Sequence, residues 1–223
     1  MDRSRQNPLA PETAVHLSIL ASRDLELCEA AVRMLQADQG KLFPVDVMAV
    51  AALNRAAGLL SGFVAMISSR NLVCAVAILR LQLDTALRLS ALSLADRPHA
   101  LAEEVMKGTP LRKLKDRDGT PMTDNHLVTV FSKQAPWIED VYNLGCAYVH
   151  FGNTHVGHAF SAASEPGRAS VRVGATDPDD FSESNYHEAI RAFTASLDFL
   201  LHVVESWTSA KSGREPCDEG GAA

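Results

Sequence analysis

Apolar residues recur along this chain at helical spacing almost from end to end. Val15, Leu17, Leu20, Leu25, Leu27, Val32 and Leu35 predict a first helix from Pro11 to about Ala37, opened by Pro11-Glu12 and closed before Gly40. Pro44 starts a second, PVDVMAVAALNRAAGLLSGFVAMI, whose Ala, Gly and Ser positions let a neighbouring helix come close. The third, from about Arg70 to Ala95, is apolar nearly all the way round, so it belongs at the centre of the fold; Asp96-Arg97-Pro98 stops it. A short helix, PHALAEEVMKG, ends at Gly108, and the polar connection LRKLKDRDGTPMTD follows, with DRDG as a turn. Thr123 is placed to cap DNHLVTVFSKQ, and Pro136 opens PWIEDVYNLGCAYVHF, which Gly152 interrupts. RASVRVG, residues 168–174, predicts one short strand or an extended loop. SESNYHEAIRAFTASLDFLLHVVESW predicts a long amphipathic helix that buries Tyr186, Ile190, Phe193, Leu197, Leu200, Leu201 and Val204.

The expected fold is therefore all-α, a single-domain helical bundle of four long and two shorter helices over residues 11–211. Residues 1–10 are expected to be a flexible N-terminus, and 212–223, polar and glycine-rich, a disordered tail. The stretch between His150 and Asn185 is the one sizeable irregular region.

Composition narrows the function classes. A length of 223 residues, 47% hydrophobic and 22% charged, suits a globular chain with a substantial core. The net charge of −6 argues against duplex DNA as a partner. MDRSRQNPLAPET is polar and carries no secretory h-region. Charged and polar residues (Asp46, Asn54, Arg55; Arg80, Asp84, Arg88) break up the most apolar stretches, so no membrane span is expected. Cys28, Cys74, Cys146 and Cys217 form no CxxC pair, in keeping with a reducing compartment, and a cytoplasmic location is expected.

Two places concentrate chemistry. On the third helix Arg80, Asp84 and Arg88 follow at i, i+4 and i+8, drifting by roughly 80° in total and forming one charged stripe. Such a stripe is either an ion-pair ladder, closed by Glu103, Glu104 or Glu139 of another helix, or the wall of a cleft in which arginine holds phosphate or carboxylate. Arg80 lies deeper in the helix than Arg88. The second place is AYVHFGNTHVGH, with His150, His155 and His158. On a continuous helix His155 and His158 share a face about 60° apart, whereas His150 and His155 stand about 140° apart unless the chain bends at Gly152. His150, at a helix end beside irregular chain, suits acid–base work. Packed histidines at a helix end explain the same pattern.

The remaining signals exclude more than they suggest. There is no HExxH, and no carboxylate lies within the histidine stretch, so a zinc site would need partners from elsewhere; a histidine–carboxylate metal site stays a further option, and no residue is assigned as a metal ligand. DRDG lacks the other ligands of a calcium loop. GTPLRKLKDR, with Arg112, Lys113, Lys115 and Arg117, reads as a solvated loop. Neither a phosphate-binding loop nor a GxSxG elbow occurs, so no cofactor is expected.

Arg70, Asn71, Arg80, Gln82, Asp84, Arg88, Asp116, Gly119, Asp124, Tyr142, His150 and His155 together resemble a group of uncharacterised bacterial helical proteins over roughly residues 65–160. That resemblance brings no activity with it. The layout is more distantly similar to the HEPN superfamily, which includes RNA-cleaving toxins and antiphage proteins that often dimerise. Its nucleases carry Arg-x4–6-His, a spacing absent here; Asn143 with His150 is the nearest equivalent, and Arg80 would have to supply the cation from another helix. Two functions are therefore expected to compete. One is a binding protein, with Arg80, Asp84, Arg88 and His155 lining a pocket for an anionic ligand or a protein partner. The other is a metal-independent ribonuclease using His150, Arg80 and Asn143. A homo-oligomer is expected in either case.

Overall fold

A computed structural model describes residues 8–162, 168–174, 177 and 181–213. The architecture is all-α. In chain order its helices are α1 (Pro11–Ala21), α2 (Asp24–Gln36), α3 (Pro44–Ser68), α4 (Leu72–Ser90), α5 (Pro98–Met106), α6 (Asp124–Phe131), α7 (Trp137–Val149), α8 (Asn153–Ala159) and α9 (Glu183–Ser212). The only strands among the described residues, β1 (Phe160–Ala162) and β2 (Ala169–Val171), pair antiparallel with Phe160 opposite Val171. This helix count replaces the expected four long and two shorter elements.

The extra helices have local causes. The helix expected over 11–37 breaks at Ser22, whose hydroxyl donates to the Ile19 carbonyl at 2.8 Å and so competes with the helical ladder. Arg23, just beyond, is anchored by Glu26 and by Asp198 of α9, each at 2.6 Å. The helix expected from Pro136 ends at Val149; His150 and Gly152 are extended, and α8 starts afresh at Asn153.

α4 sits at the centre, as its all-round apolar surface predicts, packed against α3, α6, α7 and α9. Its first turn is capped twice. Asn71 accepts from the Cys74 N–H at 3.1 Å, and the buried Asp177 carboxylate accepts from the Leu72 N–H at 2.7 Å. The same carboxylate accepts from the Tyr186 hydroxyl at 2.7 Å. Burial, then the hydrogen bond and charge of Asp177, pushes the Tyr186 phenol well above the ordinary tyrosine range. α3 buries Val45, Ala49, Leu53, Ala56, Leu60, Phe63 and Ile67, and Phe63 stacks on Phe193 of α9 with centroids 4.3 Å apart. By length and composition alone α3 is apolar enough to cross a membrane.

The expected flexible and disordered ends fall largely outside the described residues. Within them α9 runs through Ser212, and Lys211, beside the expected tail, is fully buried. Its ammonium donates to Asp46 and to the Met34 carbonyl, both at 3.0 Å. Asp46, also fully buried, accepts from the Trp207 indole at 2.7 Å and the Phe43 N–H at 2.8 Å. Two buried charges are tolerable because every facing group is paired.

Candidate functional site

The arginine stripe closes into a four-charge cluster. Arg88 Nε lies 2.9 and 2.8 Å from the two Asp84 oxygens, and its terminal nitrogen 2.9 Å from Asp124 at the start of α6. Arg80, the deeper of the two, reaches Asp84 at 3.8 Å and Asp124 at 3.7 Å. Its guanidinium lies over the Tyr142 ring of α7, 4.1 Å from the centroid. Gly145 makes that approach possible, because a Cβ there would stand 2.7 Å from Arg80 Cβ. Burial lowers the Arg80 pKa, but the Cys146 thiol, the Tyr142 hydroxyl and the Asp84 charge outweigh it and leave Arg80 firmly cationic. Burial raises the Tyr142 phenol despite the cation beside it.

The partner that closes the ladder is Asp124, rather than Glu103, Glu104 or Glu139. Glu104 instead pairs with Lys107 at 3.0 Å. Asp124 follows the Thr123 cap, whose hydroxyl accepts from the His126 N–H at 3.3 Å, so the capped start of α6 delivers a carboxylate to α4.

A third arginine joins the cluster from α3. Arg55 Nε donates to Thr85 Oγ1 at 3.0 Å, while Thr85 passes its own proton to the Leu81 carbonyl at 2.8 Å. Arg55 has no carboxylate partner among the described residues. Arg55, Asp84 and Arg88 line an open groove of about 310 Å³ between α3 and α4, with Met48, Ala51, Ala52 and Leu89 as its apolar walls. With Arg55 counted, three guanidinium groups stand beside two carboxylates, Asp84 and Asp124, an excess of one positive charge among the described residues. In the sequence Arg55 is marked only as a charge interrupting an apolar run, and nothing in the spacing says that it meets α4.

The histidine stretch divides. His155 and His158 lie on one face of α8 with rings 6.4 Å apart, and Tyr148 packs near both. With Asn71, Cys74, Arg172 and Asp177 they line a cavity of about 450 Å³ beside the start of α4. His158 rests edge-on against Phe181 at 5.0 Å, and its buried Nδ1 has no hydrogen-bond partner among the described residues. His150 and Asn143 are exposed on α7 and its C-terminal end. Among the described residues no hydrogen bond, ion pair or ring contact joins His150 to Arg80, Asn143 or His155. The bend at Gly152 occurs, but it does not bring His150 and His155 rings into contact.

One group of three metal-ligating side chains comes together among the described residues, and it lies elsewhere: Glu12 and His16 of α1 with His187 of α9. Comparison with protein-family models, curated proteins and solved structures found no match to this chain.

Proposed function

We propose that this chain works by binding, and that the groove between α3 and α4 takes a small anionic ligand bearing phosphate or carboxylate. The supporting observation is the charge balance at the groove: among the described residues Arg55 lines it with only a neutral hydroxyl as partner, beside an Arg88 that is 40% exposed. Guanidinium groups are suited to fork-like recognition of such oxygens, and the apolar walls offer contact to a ligand's carbon frame. Arg80 and Asp84 are positioning residues in this reading. Asp84 holds Arg88 in place, and Arg80 braces Asp84 and Asp124 from the other side. The protein is proposed to be cytoplasmic and bacterial.

The test is isothermal titration of the full chain with inorganic pyrophosphate and with citrate. Saturable binding is expected for wild type and is lost in Arg55→Ala, which is exposed and leaves the fold intact. Equal heats in both proteins overturn the reading. A second reading, a metal-independent ribonuclease, draws on His150 and Asn143, both exposed and close to one face of α7. It requires cleavage of total RNA in excess chelator by wild type and not by His150→Ala.

A further inference from the structure

Glu12 and His16 are one helical turn apart on α1, and His187 faces them from α9; one ligand atom from each lies within 4.8 Å of the other two. The His16 and His187 rings meet edge to face with centroids 5.1 Å apart. We propose that these three side chains bind a borderline divalent transition-metal ion, Zn²⁺ by donor set, that clamps α1 onto α9.

The donors behind His187 carry the argument. His187 Nε2 lies 2.7 Å from the hydroxyl of Thr13, and that hydroxyl lies 2.6 Å from a Glu183 oxygen. Glu183 is ion-paired to Arg70, so it is a carboxylate and accepts; Thr13 donates its single proton there. Thr13 can then only accept from His187, which places the ring proton on Nε2 and leaves the lone pair on Nδ1. A hydrogen-bonded carboxylate that fixes the tautomer and orientation of an imidazole is the arrangement found behind metal-ligating histidines. Here a fully buried threonine relays it. Arg70 is itself held by the Pro8 carbonyl at 2.9 Å and by the Tyr186 ring at 5.1 Å, so the relay is anchored to the core.

Two imidazoles and one carboxylate suit zinc and its neighbours better than calcium or magnesium, which prefer oxygen alone. Bonds of about 2.0–2.1 Å place tetrahedral ligand atoms roughly 3.4 Å apart. The ligand atoms already lie within 4.8 Å of one another, and Glu12 and His16, both exposed, have room to rotate inward. Water completes the shell, and the site opens to solvent.

The probes are Zn²⁺ by calorimetry and Co²⁺ by visible absorption, on the untagged full chain after chelator treatment. Wild type is expected to bind one ion per chain and to gain thermal stability with added Zn²⁺. His16→Ala, exposed and therefore folded, is expected to lose the ion, the Co²⁺ bands and the thermal gain. Thr13→Val keeps all three ligands but releases His187, and affinity should fall about 10–100-fold. His158→Ala, on α8, should change nothing. Absence of binding in wild type, unchanged binding in His16→Ala, or loss of binding in His158→Ala each overturns the proposal.

Discussion

Removing Asp46 tests the reading of the buried ion pair most severely. Asp46→Ala deprives three donors at once: the Lys211 ammonium, the Trp207 indole and the Phe43 N–H. Lys211 keeps one hydrogen bond, to Met34, and the face of Phe43 at 5.6 Å, but no counter-charge inside a fully buried site. Breaking a buried pair from one side costs about 3–5 kcal/mol. For a chain of this size that corresponds to a fall in Tm of roughly 10 °C. Lys211→Met is expected to cost less, because both Asp46 oxygens keep a donor. Urea unfolding followed by circular dichroism and by tryptophan fluorescence provides the assay, and Trp207 reports on the site itself. Asp46→Ala within about 1 kcal/mol of wild type, inside the range of an ordinary substitution, refutes the reasoning.

Further predictions concern other contacts. Gly145→Ala places a methyl 2.7 Å from Arg80 Cβ, which cannot move without α4. Overpacking costs about 1–3 kcal/mol, against about 1 kcal/mol regained in helix propensity, so urea unfolding should show a net loss; equal or greater stability contradicts it. Asp116 accepts from the Thr120 N–H at 2.8 Å, from the Asp118 N–H at 3.0 Å, and lies 2.8 Å from His126 Nε2. The Thr120 bond is the main cause that lowers its pKa, against the opposing effect of burial. Its contribution to stability should be complete above the ordinary aspartate value of about 3.9 and disappear as pH falls through the lowered value. Carboxyl NMR titration finding a midpoint at or above the ordinary value would count against this. Val15, Ile19, Leu25 and Val32 are exposed apolar residues of α1 and α2, and we propose that the expected homo-oligomer, a dimer, forms through them. Ile19→Lys should shift the light-scattering mass from dimer to monomer; an identical mass for both proteins removes that face from consideration.

What was legible in the sequence is what depends on near neighbours. Helical spacing, the stops at Pro98 and Gly108, the Thr123 cap and the centrality of α4 all rest on residues within a turn or two of each other. The Arg80–Asp84–Arg88 stripe was visible for the same reason. Its completion was not: Asp124 is 36 residues from Arg88, and Arg55 is 30 residues before Thr85. Periodicity places a residue on a helix face without saying which helix that face meets. Lys211 shows the limit most plainly. It stands at the edge of a polar, glycine-rich tail, and only a carboxylate 165 positions away makes its burial tolerable. His187 is similar, since its relay runs through Thr13, 174 positions earlier.

Anion binding by Arg55 and Arg88 in the groove between α3 and α4 is the proposal on which the function rests. The most direct measurement is a map of backbone amide shifts in labelled protein as pyrophosphate is added. Saturable shifts are expected at Ala51, Ala52, Thr85 and Leu89, which line the groove, and are absent in Arg55→Ala. Shifts centred on His155 and His158, or none at all, would contradict that proposal.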